Sequence, residues 1–220
     1  MKKLYILCYI AMLICVLGTA ALLVISPDII PVHFNFAGEV DRFGSKYENL
    51  LWPFLSILIG GILMFTAKKV GQKEGKKDEK AILYVALITL IFFMILGFYF
   101  MIKAIQYNPS EPGQMSVDIM KFIGIFLGGF QIILGYLMPK VSRNSVFGLK
   151  TRWSLSSDRV WRKSQRFCGF SSIICGILMM LAGIFVPDAK SIFCVVLLMI
   201  AWALIATGAS YYYYKKDNME

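Results

Sequence analysis

The sequence predicts an all-α polytopic membrane protein, a six-transmembrane-helix bundle with both termini in the cytoplasm. Three observations carry this reading. Hydrophobic residues make up 58% of the 220 and charged residues only 16%, against about 25% charged in soluble domains. The apolar residues gather into six blocks, each near the ~20 residues that carry a helix across a bilayer core. Lys and Arg concentrate in alternate connections between the blocks, the bias expected of cytoplasmic loops.

The first block, 4–25, follows Lys2 and Lys3 and could pass for a secretory leader. Its apolar run exceeds the about 7–15 residues of a leader core, so it is expected to stay as an uncleaved first span. The remaining blocks read as helices at 50–67, 81–102, 119–138, 167–186 and 192–214. Pro27, Pro139 and Pro187 follow three of the six, where a residue without an N–H stops a helix. Runs of this length favour helices over barrel strands, which are shorter and alternate.

With the N-terminus inside, the inner segments 1–3, 68–80, 139–166 and 215–220 hold eighteen basic residues. The outer segments hold four, Arg42, Lys46, Lys103 and Lys190, and Lys121 lies near a helix start where it can snorkel. The formal charge of +10 would also suit nucleic acid. Its placement between apolar blocks assigns it to the membrane surface and to lipid, with no direct nucleic-acid partner. The chain therefore divides into a two-helix unit at 1–67, a basic cytoplasmic connector at 68–80 and a four-helix membrane domain at 81–220.

The five cysteines lie in or beside apolar blocks, with no CxxC pair, so neither a disulfide framework nor a cysteine metal site is expected. No cofactor is called for. Membrane-depth ionisable residues, the mark of proton-coupled transporters, are missing from the span centres, where Gln131 is the one strongly polar side chain. Gly169, Gly176 and Gly183 recur every seven residues in the fifth block, and Gly124 and Gly128 form a GxxxG pattern in the fourth. Such faces let two backbones approach closely, either inside one bundle or across a homodimer.

Two connections carry the functional information. Residues 31–46 read Pro-Val-His-Phe-Asn-Phe-Ala-Gly-Glu-Val-Asp-Arg-Phe-Gly-Ser-Lys. Gly38 and Gly44 suit tight turns, Asn35 and Asp41 bond nearby backbone, and His33 is a titratable imidazole, a class that ionises near ~6.5. His33 with Glu39 and Asp41 could serve acid–base work, which keeps a membrane-embedded hydrolase open as an alternative, though no recognised nucleophile or zinc motif accompanies them. The second connection contains Asn144, Gly148, Lys150, Thr151, Trp153, Trp161 and Arg166. Ser156 is expected to cap the fifth helix, which then starts below the membrane, exposing Arg159, Arg162, Lys163 and Arg166. Trp153 and Trp161 are expected as interfacial anchors.

These two segments resemble the two signatures of SdpI-type bacterial immunity proteins. The first is Pro-x-His-x-Asn-x-x-Gly-x-x-Asp-x-x-Gly-Ser-Lys. The second is Asn-x-x-x-Gly-x-Arg-Thr-x-Trp-(Ser/Thr) followed by a Trp and often His-Arg. The chain departs from the second at Lys150, where the family has Arg, and at Gln165, where it often has His. A point charge there replaces a bidentate donor. The resemblance, which covers about residues 4–214, implies a multi-pass protein of the bacterial cell membrane that protects against a secreted SDP-like antimicrobial peptide toxin. It would bind or exclude the peptide at the outer face through His33, Asn35, Gly38, Asp41, Gly44 and Lys46. It implies as an alternative a sensor in signal transduction, sequestering a cytosolic transcriptional repressor through the inner loop.

Overall fold

The computed structural model describes every residue except 36–38, 74, 109, 111, 144–145, 188–189 and 220, and the side chains of 112–118. The elements in order are α1 (Lys2–Ile25), β1 (Ile29–Phe34), β2 (Val40–Ser45), a 3-10 turn (Lys46–Leu50) and α2 (Leu51–Lys73). They continue with α3 (Lys76–Ile105), α4 (Pro112–Leu137), a 3-10 turn (Met138–Lys140), α5 (Asp158–Phe185) and α6 (Lys190–Asp217). Six helical stretches are long and apolar enough to cross a membrane. At ~1.5 Å rise per residue, even the shortest reaches across a ~30 Å hydrocarbon core.

Helix ends depart from the sequence expectation where the helix leaves the apolar zone. The connector expected over 68–80 is mostly helix, since α2 runs to Lys73 and α3 starts at Lys76. Gly75, at φ 109°, makes the break, a backbone angle glycine adopts without a Cβ penalty. α5 begins at Asp158, ahead of its apolar block at 167, as the serine cap signal led one to expect. Its N-cap is Ser157, not Ser156: the Ser157 hydroxyl accepts from the Val160 N–H. Hydropathy finds the part of a helix that lies in lipid, and charged turns beyond it carry no such signal.

The chain packs as two compact units, Met1–Ile119 and Met120–Glu220. The first unit thus takes in α3 as well as α1 and α2, where composition suggested a boundary after 67. Small and sulfur-bearing residues fill its centre, with Cys8, Cys15, Ala67 and Ala86 fully buried beside Ile82, Leu83 and Leu90. Pro27 ends α1, and the Ser26 hydroxyl donates to the Leu22 carbonyl at 2.7 Å. The chain then forms an antiparallel hairpin, β1 on β2, with two register shifts at His33. The hairpin rests on the helices through apolar contacts. Ile30 is buried, the Phe34 ring meets Phe100, Phe100 stacks on Trp52, and Phe43 meets Tyr107 edge-on.

In the second unit, α4 and α5 touch backbone to backbone. A Cβ added to Gly128 would stand 2.5 Å from the Gly176 carbonyl oxygen, and one on Gly176 the same distance from that of Gly128. Gly124 faces Gly183, and Gly135 faces Gly169, in the same manner. Ser172 adds a hydroxyl bond to the Gln131 carbonyl at 3.0 Å. The glycine face read from the sequence is therefore occupied within one chain. On its other side α5 holds α6 through Cys175, Met179, Ala182 and Val195, and the Trp202 indole donates to the Ser171 hydroxyl. The outer face of α6, with Phe193, Leu197, Ile200 and Leu204, is exposed, as a lipid-facing helix requires.

This packing makes a sharp comparison between neighbours on α4. Gly128→Leu forces a side chain into the α5 backbone, and overpacking of this kind costs ~1–3 kcal/mol or more. Gly129→Leu meets nothing within 4 Å and should leave thermal stability in detergent unchanged. Equal midpoints for the two variants would show that α4 and α5 do not meet at this face.

Candidate functional site

The hairpin gathers His33, Asn35, Asp41, Gly44 and Lys46. His33 Nδ1 lies 2.6 Å from Asp41 Oδ1, so the carboxylate accepts the ring N–H. Both side chains are open to solvent, at 61% and 42% exposure. With Nδ1 bound to Asp41, the neutral ring presents Nε2 as an acceptor. Asn35 closes the other end of the hairpin. Its N–H donates to the Glu39 carbonyl, its amide to the Glu39 carboxylate, and its Oδ1 accepts from the Glu39 N–H. The bonds of Glu39 thus run to Asn35, whereas His33 bonds Asp41.

Lys46 has a locking role. Its side chain is only 14% exposed and pairs with Asp28 at 3.1 Å, while donating to the Ser26 carbonyl at 3.3 Å. It ties the end of β2 to the end of α1. Arg42 makes two bonds to the Glu48 carboxylate, at 3.2 and 2.9 Å. Those bonds push the guanidinium above its ordinary value, so it stays charged at any pH the cell meets. Gly44 serves by size rather than by a left-handed angle. A Cβ there would overlap the Glu48 carboxylate and press on Val32. Gly38 lies outside the described residues. Sequence reasoning missed Ser26, Asp28 and Glu48, whose roles exist only once the hairpin folds back onto the helix ends.

The second cluster is the 138–157 loop of the other unit. Gly148, at φ 115°, turns the chain so that Leu149 meets α5. There the Gln165 amide accepts from the Leu149 N–H and donates to its carbonyl, both at 3.0 Å. Ser154 bonds the carbonyls of Leu149 and Thr151, and Thr151 and Ser154 exchange side-chain and backbone bonds at 2.9 Å. The Thr151 hydroxyl meets that of Ser210 on α6. Ser157 donates to Asp217, which also pairs with Arg159. Trp161 is 1% exposed and donates its indole N–H to the Val141 carbonyl, so it is core and not an interfacial anchor. Trp153 packs on Tyr211. Lys150 and Arg166 are exposed, and Asn144 lies outside the described residues.

Gln165, read from the sequence as a departure from a titrating position, is the loop's buried anchor at 1% exposure. One amide end supplies a donor and an acceptor side by side, which the divergent nitrogens of an imidazole do not. Ser154, Ser210 and Asp217 were also missed, since nothing local marks a serine or aspartate as a partner of residues far along the chain. Among the described residues, no group of three or more His, Cys, Asp or Glu could hold a metal ion.

The fold and its locked connections define a multi-pass cell membrane protein. Comparison with known proteins narrows the class. Residues 140–210, which hold most of the 138–157 loop with α5 and much of α6, match the SdpI/YfhL protein family. Residues 10–57, which include the hairpin, match a domain of unknown function, DUF1648. The chain is 28% identical over 196 residues to the Immunity protein SdpI of Bacillus subtilis (strain 168), covering 87% of this chain and 86% of that protein. It is 32% identical over 87 residues to the uncharacterized protein YfhL of the same organism, covering 38% of this chain and 77% of that one. No solved structure matches. The chain belongs to the SdpI/YfhL protein family.

Gln165→Leu keeps the volume and removes both bonds, leaving the part-buried Leu149 N–H without its partner and its carbonyl to Ser154 alone, at a cost of ~1–3 kcal/mol. Thermal unfolding of the purified protein should fall accordingly, and Gly148→Ala should destabilise by ~1–2 kcal/mol through its left-handed angle. An unchanged midpoint for Gln165→Leu would mean that the loop is not held through α5.

Proposed function

We propose that this chain is an immunity protein that protects its cell against a secreted, SDP-like antimicrobial peptide, by binding or excluding it at the outer face. The observation that carries the reading is the likeness to Immunity protein SdpI along 87% of the chain, which takes in both locked connections. The bias of eighteen basic residues to four supports the hairpin outside, and the 138–157 loop and both termini in the cytoplasm. In this orientation the His33–Asp41 pair faces the side from which a secreted peptide arrives. Asp41 orients the ring, Asn35 and Glu39 bond each other across the far end of the hairpin, and Lys46 fixes the hairpin to α1. The hairpin thus offers a preorganised polar surface, which lowers the ordering cost of binding.

A second reading follows from the other cluster. The 138–157 loop is braced by α5 and α6; Lys150 and Arg152 on the loop and Arg162 and Arg166 on the first turns of α5 are exposed cations. A rigid cationic rim of this kind suits an acidic surface on a cytosolic repressor.

The first test is survival of a toxin-sensitive strain expressing the chain. If His33, Asn35 and Asp41 act as one unit, each alanine variant should lose most of the protection at normal membrane abundance. The double variants should lose little more, the non-additivity of a shared network. Full protection by His33→Ala and Asp41→Ala would overturn the hairpin assignment and favour the cytosolic rim. Orientation is tested separately in a cysteine-free background. An impermeant thiol reagent applied to intact cells should label Tyr47→Cys and spare Lys77→Cys; the reverse pattern would invert the topology.

A further inference from the structure

We infer that the hairpin recognises a cationic, extended peptide by taking it up as a third strand along the outer edge of β2. For the identity of the natural occupant this rests on the immunity reading; the chemistry of the edge does not.

The geometry follows from the ladder. Lys46 donates its backbone N–H to the Asp28 carbonyl at 3.0 Å, and Ile29 pairs with Ser45, Ile30 with Gly44 and Pro31 with Phe43. In an antiparallel pair, inward and outward residues alternate. Since Lys46 points inward, Gly44 does too, and Ser45 and Phe43 turn their N–H and C=O groups away from β1. Among the described residues the Ser45 C=O is taken by the 3-10 turn that Ser45 caps, while no other segment bonds the Ser45 N–H or the N–H and C=O of Phe43. The opposite edge is different. Pro31 occupies the matching outward position on β1 and has no N–H to offer, the usual way of blunting an edge. The β1 edge therefore lacks a donor at Pro31, where β2 offers the Phe43 and Ser45 N–H groups, and strand addition to the better-furnished edge is a recurrent mode of peptide capture.

Charge selects the occupant. Residues 26–50 contain Asp28, Glu39, Asp41 and Glu48 against Arg42 and Lys46, an excess of two negative charges in a chain whose formal charge is +10. Each of these carboxylates has a partner, but a carboxylate accepts at more than one lone pair. Asp28 remains 92% exposed beside Lys46, and Asp41 and Glu48 are about four-tenths exposed. Nε2 of a neutral His33 adds a further acceptor. The hairpin is thus an acceptor-rich, locally acidic site that favours lysine or arginine side chains flanking an added strand and opposes acidic ones.

Ser45 permits a clean test. Its φ of −68° and ψ of 140° are those of proline, whose ring fixes φ near ~−65°. Ser45→Pro therefore removes the outward N–H and crowds the edge without straining the hairpin. Ser45→Ala removes only the hydroxyl that accepts from the Tyr47 N–H and keeps the edge open. The full chain is placed in phosphatidylcholine nanodiscs, with empty discs as background. A fluorescent alternating valine–lysine peptide of about twelve residues, twice the length of a typical strand, is titrated by anisotropy beside its valine–glutamate counterpart.

Strand addition predicts that the lysine peptide binds, that the glutamate peptide does not, and that Ser45→Pro binds about tenfold more weakly while Ser45→Ala matches the parent. No binding of the lysine peptide, equal binding of the glutamate peptide, or parental affinity in Ser45→Pro would overturn the proposal. The two readings fail separately. Edge-dependent binding in a chain that gives cells no protection would keep strand addition and remove the toxin as occupant. Protection undiminished by Ser45→Pro, with parental peptide affinity, would remove strand addition and keep immunity.

Discussion

Hydrocarbon offers a backbone no hydrogen-bonding partner, so every N–H and C=O that enters it must be satisfied by the chain itself. Helices meet that demand through the spans, and the non-helical backbone is confined to their ends. With no apolar driving force between helices in lipid, close packing has to come from small residues. The Gly124–Gly183, Gly128–Gly176 and Gly135–Gly169 approaches supply it between α4 and α5. In the first unit, Gly60 lies against Met12 and Leu90, and Gly97 against Trp52.

The same constraint shapes the two irregular segments. At a membrane boundary, loop backbone groups compete between water and protein, and both segments resolve this with side chains that bond the backbone. Gln165 and Ser154 together hold the Leu149 and Thr151 backbone, and Lys46 and Asn35 hold the two ends of the hairpin. A loop braced in this way presents its remaining polar groups at fixed positions, as a recognition surface needs. In the hairpin the groups left over are His33 with Asp41 and the outer edge of β2.

Most of the helical architecture was legible because hydropathy reports burial in lipid directly. What it could not report were the polar helical turns at 68–73 and 76–80, which lie beyond the apolar blocks; those at 158–166 were read from a serine cap signal, one residue early. The hairpin escaped because β1 carries a proline and two register shifts, and β2 reads Val-Asp-Arg-Phe-Gly-Ser, without a clean two-residue alternation. Of the candidate site, His33, Asn35 and Asp41 were named from residue type, spacing and the family resemblance, and the hairpin carries all three. Their ties to Glu39, and those of Arg42 and Lys46 to Glu48 and Asp28, belong to the folded hairpin. Gln165 shows the limit most clearly. Judged against a family pattern it is a substitution, and only its two bonds to Leu149 reveal why an amide suits the position.

The central claim is that the hairpin, and not the 138–157 loop, is the surface that meets the toxin. The most direct measurement places a photoreactive phenylalanine analogue at Tyr47, exposed beside β2, and in a second strain at Arg152, exposed on the loop. Intact cells are challenged with toxin and illuminated. The account predicts a toxin adduct from position 47 and none from position 152. An adduct from position 152 alone would contradict it.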